Sequence, residues 1–308
     1  MSARTVVPVI LDTDIGPDCD DAGAVAVLNA LADRGEAEIL AMACCVSSPW
    51  GAPCLDAINT YYGRPDVPIG TYKKPGFLLD SSYSEAIARE FPNRLQRGEN
   101  APDARELYRK TLARQPDGSA TICAIGPLNN LGDLLDTAPD EWSALGGVEL
   151  VARKVRRLVV MGCAFPAGPS WNQEQDGEAS ARVAEQWPTR ITFSGREIGL
   201  VIQTGARLYT ETPTCNPVRR AYELYTGGAN RPSWDQTAVL YGVRGARDYW
   251  TVRANGQCRI NEDGTNQWHD TPDRGHSYLV EKMPVGRLGG LIEDLMVQAP
   301  RHRAQEGR

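Results

Sequence analysis

The chain has 308 residues, 33 of them basic and 39 acidic, for a net charge of −6. That length buries a sizeable core without disulfide or metal staples. A mildly acidic chain lacks the basic stripe of a sequence-independent nucleic-acid binder. None of the eight cysteines forms a CxxC pair, which argues against a zinc site. Several sit in apolar runs such as TICAIG and VVMGCA, where they read as small buried hydrophobes. No stretch of 18 apolar residues is present, so no membrane span is expected. The N-terminal apolar run is too short for a signal peptide. The expectation is a cytoplasmic protein with reduced thiols.

In chain order, residues 6–11 (VVPVIL) form an apolar run of strand length, followed by an acidic loop. A helical pattern then runs to Gly35. Residues 37–46 read as a buried strand, 55–63 as a helix and 67–72 as a short strand. This alternation continues through strands at 119–127, 155–162 and 189–195, with helices at 128–139 and 176–187. Residues 232–245 read as a loop entering a helix. The expected fold is α/β, with one domain over 1–300 and a mostly parallel central sheet flanked by helices. Residues 249–260 suggest a C-terminal β-hairpin turning at Asn255-Gly256. A polar loop (261–277) carrying His269 and His276 follows, and residues 301–308 read as a disordered tail.

The acidic loop is the densest chemical signal. Asp12, Asp14, Asp18, Asp20 and Asp21 fall within ten residues, at the C-terminal end of the first strand. Open α/β sheets bind ligands at that edge. Five carboxylates in so small a space repel one another, and a hard cation such as Ca²⁺ or Mg²⁺ relieves the repulsion. A solvated loop that caps the next helix is the plainer alternative. An EF-hand fits poorly, because Gly16 is the fifth loop residue and a strand precedes it. A strand followed by DxD is also compatible with a Mg²⁺-dependent phosphatase of the haloacid dehalogenase type, with Asp12 as nucleophile.

The segment VILDTDIGPDCDDAGA resembles the DxDPGxDDA fingerprint of the inosine-uridine nucleoside hydrolase family. Ile15 stands where the family usually has Pro, and two extra residues precede the Asp-Asp pair. AIGPLNNLGDLL (124–135) resembles the family's GPLTNLA segment, WNQEQDGEASA (171–181) its FNxxxDPEAA, and PSWDQTAVLY (232–241) the segment with its last metal-binding aspartate. The resemblance covers roughly residues 5–245. It implies a calcium-dependent hydrolase of N-glycosidic bonds acting on purine nucleosides or related N-ribosides. Asp14, Asp21 and Asp235 would hold Ca²⁺ with the carbonyl of Asn129, and Asp14 would act as general base. Asp20 and Asn172 would bind the sugar, and Asp12 would orient its neighbours. Asp176 would cap the next helix.

The resemblance also marks departures. Sugar-contact positions are altered around Cys45 and Ser170, which leaves open a calcium-stabilised binding protein without turnover. Trp234 occupies the place of the usual histidine acid and implies stacking on a purine. Trp50 or Trp171 would supply the other face of the stack, or His269 or His276 would enter as an acid. Relatives form homodimers or homotetramers, which extends the expectation to this chain.

Overall fold

The computed structural model describes residues 6–301. Among the described residues there are twelve strands: β1 Val7–Thr13, β2 Ala37–Cys44, β3 Ile69–Thr71, β4 Ala120–Ala124, β5 Val155–Met161, β6 Ala167–Gly168, β7 Arg190–Ser194, β8 Gln203–Thr204, β9 Arg231–Pro232, β10 Trp250–Ile260, β11 Asn266–His269 and β12 His276–Glu281. Ten of them make one sheet in the order β3-β2-β1-β4-β5-β7-β12-β10-β11-β6, and β8 pairs with β9 separately. From β3 to β12 every pairing is parallel. The chain is a single α/β domain.

The central stretches of the parallel strands are mostly apolar and buried because both faces are covered. Along β1, Val9 and Leu11 enter one core layer while Ile10 enters the other. The first helix, Asp20–Asp33, packs its alanine-rich and valine-rich length into the core, and only its C-terminal end reaches solvent. Strand order runs outward from β1 to β2 and β3 on one side, and to β4 and β5 on the other. The connections diverge between β1 and β4, and a crevice opens beyond their C-terminal ends. Asp12, Thr13 and Asp14 stand at that point.

The Asn255-Gly256 hairpin is not where the chain turns. Asn255 adopts φ 65°, but as a bulge inside the continuous strand β10. β10 pairs with β12 from Trp250 across the bulge to Gly256, and with β11 from Gln257 to Ile260. The turn of the β10–β11 hairpin lies at residues 261–265 instead. An Asn-Gly pair satisfies the left-handed backbone of a bulge as well as that of a turn. The expected polar loop therefore holds β11 and the start of β12. Of the tail expected to be disordered, only Arg301 lies within the described residues; its N–H donates to Asp33 Oδ2 at 3.0 Å. Among the described residues no helix is long and apolar enough to cross a membrane.

Candidate active site

Beyond β1 and β4 lies a cavity of about 560 Å³, within the range of small-molecule sites. Its floor is acidic. Asp14, Asp20, Asp21 and Asp235 line it, and each is at most 4% exposed. One carboxylate oxygen from each of Asp20, Asp21 and Asp235 lies within 4.8 Å of the others. Asp14 is in direct contact with Asp21. Three segments converge to build this floor. β1 delivers Asp14, the first turn of helix Asp20–Asp33 delivers Asp20 and Asp21, and the first turn of helix Trp234–Arg244 delivers Asp235. The Asp235 N–H donates to Asp20 Oδ2 at 3.3 Å, which joins the two helix starts.

Thr13 and Asp12 brace the floor from behind. The Thr13 hydroxyl donates to Asp21 and accepts from the Ile15 N–H at 3.1 Å. Asp12 is fully buried. Its Oδ2 accepts from Tyr108 Oη at 2.8 Å and from Asn130 Nδ2 at 3.0 Å, while Oδ1 has no partner. Thr13, Tyr108 and Asn130 escaped the sequence reading. Thr13 sits inside the motif as its unassigned residue, and the other two come from distant segments. Gly126 is needed for space. A Cβ there would lie 2.7 Å from both Asp14 Oδ1 and Cys45 Sγ.

Burial pushes Asp12 and Asp14 up to about 7. Burial also raises Asp20, Asp21 and Asp235, and the neighbouring carboxylates add to the rise. Among the described residues, no basic side chain forms an ion pair with these four floor aspartates. All-oxygen donors crowded without a counter-charge suit a divalent cation, and the residues present fit one.

The remaining expected residues divide. Asn172 lines the cavity, and its Nδ2 donates to the Ile125 carbonyl at 2.9 Å and the Met161 carbonyl at 3.2 Å. Asp176 caps helix Gly177–Gln186, accepting from the Ala179 N–H at 3.0 Å. Trp234 and Trp171 line the cavity, with Trp171 46% exposed. Asn129 is buried and does not line it. Its Nδ2 donates to the Cys45 carbonyl at 3.0 Å and its Oδ1 is unpartnered. Ile125, four residues earlier, does line the cavity. Trp50 does not; the guanidinium groups of Arg89 and Arg97 lie over its ring, at 4.6 and 4.8 Å from the centroid. Neither His269 nor His276 reaches the cavity. His276 is locked in the sheet, where its Nδ1 accepts from the Cys258 N–H at 3.1 Å and burial pushes it down to about 4. An imidazole so held does not deliver a proton to the cavity.

The rim is built differently. Arg231 donates to both oxygens of Asp18 at 3.1 Å. Its guanidinium also lies 5.3 Å from the Tyr225 ring centroid and 5.2 Å from that of Trp234. Asp18 is one of the two residues by which this loop exceeds the DxDPGxDDA spacing, and the pair clasps the loop to β9.

The family model for inosine-uridine preferring nucleoside hydrolases matches residues 9–278. The chain belongs to that family. It thereby stands among N-glycosyl hydrolases, which sets aside the phosphatase alternative. Among solved structures, a purine-preferring ribonucleoside hydrolase from Gardnerella vaginalis superposes with a TM-score of 0.73 at 17% identity, covering 96% of this chain and 99% of that one. The inosine-uridine preferring nucleoside hydrolase from Bacillus anthracis gives 0.69 at 18%, covering 95% and 99%. A plant nucleoside hydrolase, PpNRh1, gives 0.69 at 18%, also covering 95% and 99%. At these identities the likeness is one of fold. No curated protein sequence matches this nucleoside hydrolase family member.

Proposed function

We propose that the protein hydrolyses the N-glycosidic bond of purine ribonucleosides or related N-ribosides, with calcium held on the acidic floor. The observation that carries this reading is the set of four buried, uncompensated aspartates at the floor of one cavity. Asp14, Asp21 and Asp235 hold the cation. The main-chain oxygen expected from Asn129 is better supplied by Ile125, whose residue lines the cavity. A bound calcium ion supplies Lewis acidity toward water and coordination places for vicinal hydroxyls.

The chain's own residues do the rest. Asp14 accepts the proton of the attacking water as its oxygen bonds to the anomeric carbon and the carbon–nitrogen bond breaks. Asp20 and Asn172 orient the sugar, and Asp12 with Thr13 keeps the carboxylates in register. The carboxylates favour the positive charge that develops on the sugar ring. Trp234 donates its Nε1–H to the Arg196 carbonyl at 2.9 Å, so its role toward the leaving base is stacking. Trp171 offers a second aromatic surface. No histidine lines the cavity among the described residues, so the proton for the leaving nitrogen comes from solvent. This favours purines, whose ring nitrogens accept that proton. The same reading takes the protein to be cytoplasmic, with the thiols of seven cysteines buried, and to assemble as a homodimer or homotetramer.

Release of reducing sugar from inosine, guanosine, uridine and cytidine tests the proposal, with calcium and with chelator. Calcium-dependent release that is faster from the purines is the expected result. Binding without turnover of any member would replace the hydrolase with a sugar-binding protein.

A further inference from the structure

The cavity that gathers the aspartates also carries a cation at its wall that the proposed hydrolysis of a neutral nucleoside leaves without a task. Two arginines line it, Arg196 and Arg231. Arg231 is committed to Asp18, Tyr225 and Trp234. Arg196 is not. It is exposed, and its guanidinium makes no hydrogen bond or ion pair with any described residue, acting only as a weak electrostatic neighbour of the Glu197 carboxylate. Its backbone is fixed on both sides: the N–H donates to the Cys163 carbonyl at 2.8 Å, and the carbonyl accepts from Trp234 Nε1. A rooted main chain beside Trp234 thus presents an uncommitted, planar, permanently charged donor to the ligand space.

Electrostatics give this placement a consequence. Asp14, Asp18, Asp20, Asp21, Asp80 and Asp235 all line the cavity. An anionic ligand entering such a site is repelled unless its charge is directed away from the floor and onto a paired cation. Arg196 supplies that direction, and a guanidinium matches the forked geometry of a carboxylate or phosphate. We infer that Arg196 is a specificity-determining residue that selects N-ribosides bearing an anionic group over their neutral counterparts. The inference rests on the hydrolase reading for the position of the sugar. The anion has two chemical sources, a phosphate on the sugar's 5′ oxygen or a carboxylate on the base, and both present the same oxygens to the guanidinium.

The test compares matched pairs with the calcium-loaded protein: inosine against inosine 5′-monophosphate, and uridine against orotidine. Wild type, Arg196→Gln and Arg196→Lys are assayed for kcat/KM, and the same ligands are titrated calorimetrically. The expected result is a preference of about tenfold or more for the anionic member of one pair, as a charge-assisted hydrogen bond supplies. That ratio falls toward one in Arg196→Gln, recovers in part in Arg196→Lys, and shrinks as salt is raised. A ratio found with the phosphate pair places the anion on the sugar; one found with orotidine places it on the base. A wild-type ratio of one or below in both pairs overturns the inference, as does a ratio untouched by Arg196→Gln. If no probe is turned over, the hydrolase reading fails, and the binding ratios then decide the role of Arg196.

Discussion

The floor and the rim of the cavity solve the problem of charge in opposite ways. On the floor, four aspartates are buried together, and among the described residues none of them forms an ion pair with a basic side chain. At the rim, Asp18 is met by Arg231, whose guanidinium also lies over Tyr225 and Trp234. The floor is stable only with something added, whether protons or a cation, because buried like charges cannot all stay ionised. The rim is complete as it stands. One region is a socket and the other a frame, and substitutions should separate them.

The largest effect belongs to the floor. Asp14→Asn and Asp21→Asn are each expected to abolish activity, by at least about 10²-fold for loss of a general base at Asp14. Asp21→Asn should also lose calcium, read by calorimetric titration of the chelator-treated protein. Unchanged calcium affinity in Asp21→Asn would remove the distinction between socket and frame.

Next comes the dependence on pH. Burial holds Asp12 and Asp14 up at about 7 in the folded protein, against an ordinary value of 3.8. A raised carboxyl contributes stability that is fully present below its unfolded value and is lost as pH rises through the folded one. The calcium-free protein should therefore melt at a lower temperature at pH 8 than at pH 5, by several degrees. Calcium should flatten that slope by taking the place of the protons. His276 works in the other direction. Depressed to about 4 from 6.5, it costs stability as pH falls from 6.5 toward 4. His276→Gln should accordingly steepen the gain on acidification. Identical melting profiles with and without calcium from pH 5 to 8 would count against the cation.

A smaller effect is expected where the rim meets the ligand. Trp234→Ala should lower kcat/KM for inosine by about tenfold, the scale of lost aromatic stacking and apolar contact, whereas His269→Ala should leave it unchanged. A large loss in His269→Ala with none in Trp234→Ala would reverse the assignment of the leaving-group side. The least effect belongs to the clasp. Arg231→Gln breaks a half-exposed ion pair, so unfolding free energy should fall by about 1 kcal/mol or less. A loss of calcium affinity in that variant would show that frame and socket are one unit.

These regions also differed in how readily they could be read before folding. Asp12, Asp14, Asp20 and Asp21 stand in one short run after an apolar strand, so contiguity itself exposes their chemistry. Asp235 and Asn172 required the order of matching segments along the chain. Arg196, Arg231 and Tyr225 carried no local signal, since an isolated basic or aromatic residue has its meaning only from what folding sets beside it. Trp50 shows the converse: position in a loop at the ligand edge suggested a stack on the base, and the neighbouring arginines cover it instead. Asn255-Gly256 was read as a hairpin turn but forms a bulge at Asn255, because local conformation does not specify the pairing partner. The parallel sheet was legible because strands buried on both faces carry long apolar runs. β11 was not, being a short polar strand, and β12 was missed because its buried start, His276 and Ser277, is polar although it pairs in parallel with β7.

The link between Asp20 and Asp235 spans 215 residues of chain, and the Asp18–Arg231 clasp spans 213. During synthesis the acidic loop emerges long before its partners exist. At about 5–20 residues per second, roughly 10–40 s separate the two. Through that interval the first helix carries its aspartates without the helix that completes them, and solvent must keep them charged. The acidic socket is therefore among the last features a nascent chain acquires, and a ribosome stalled before residue 235 holds a polypeptide with most of the parallel sheet and an acidic floor that lacks Asp235.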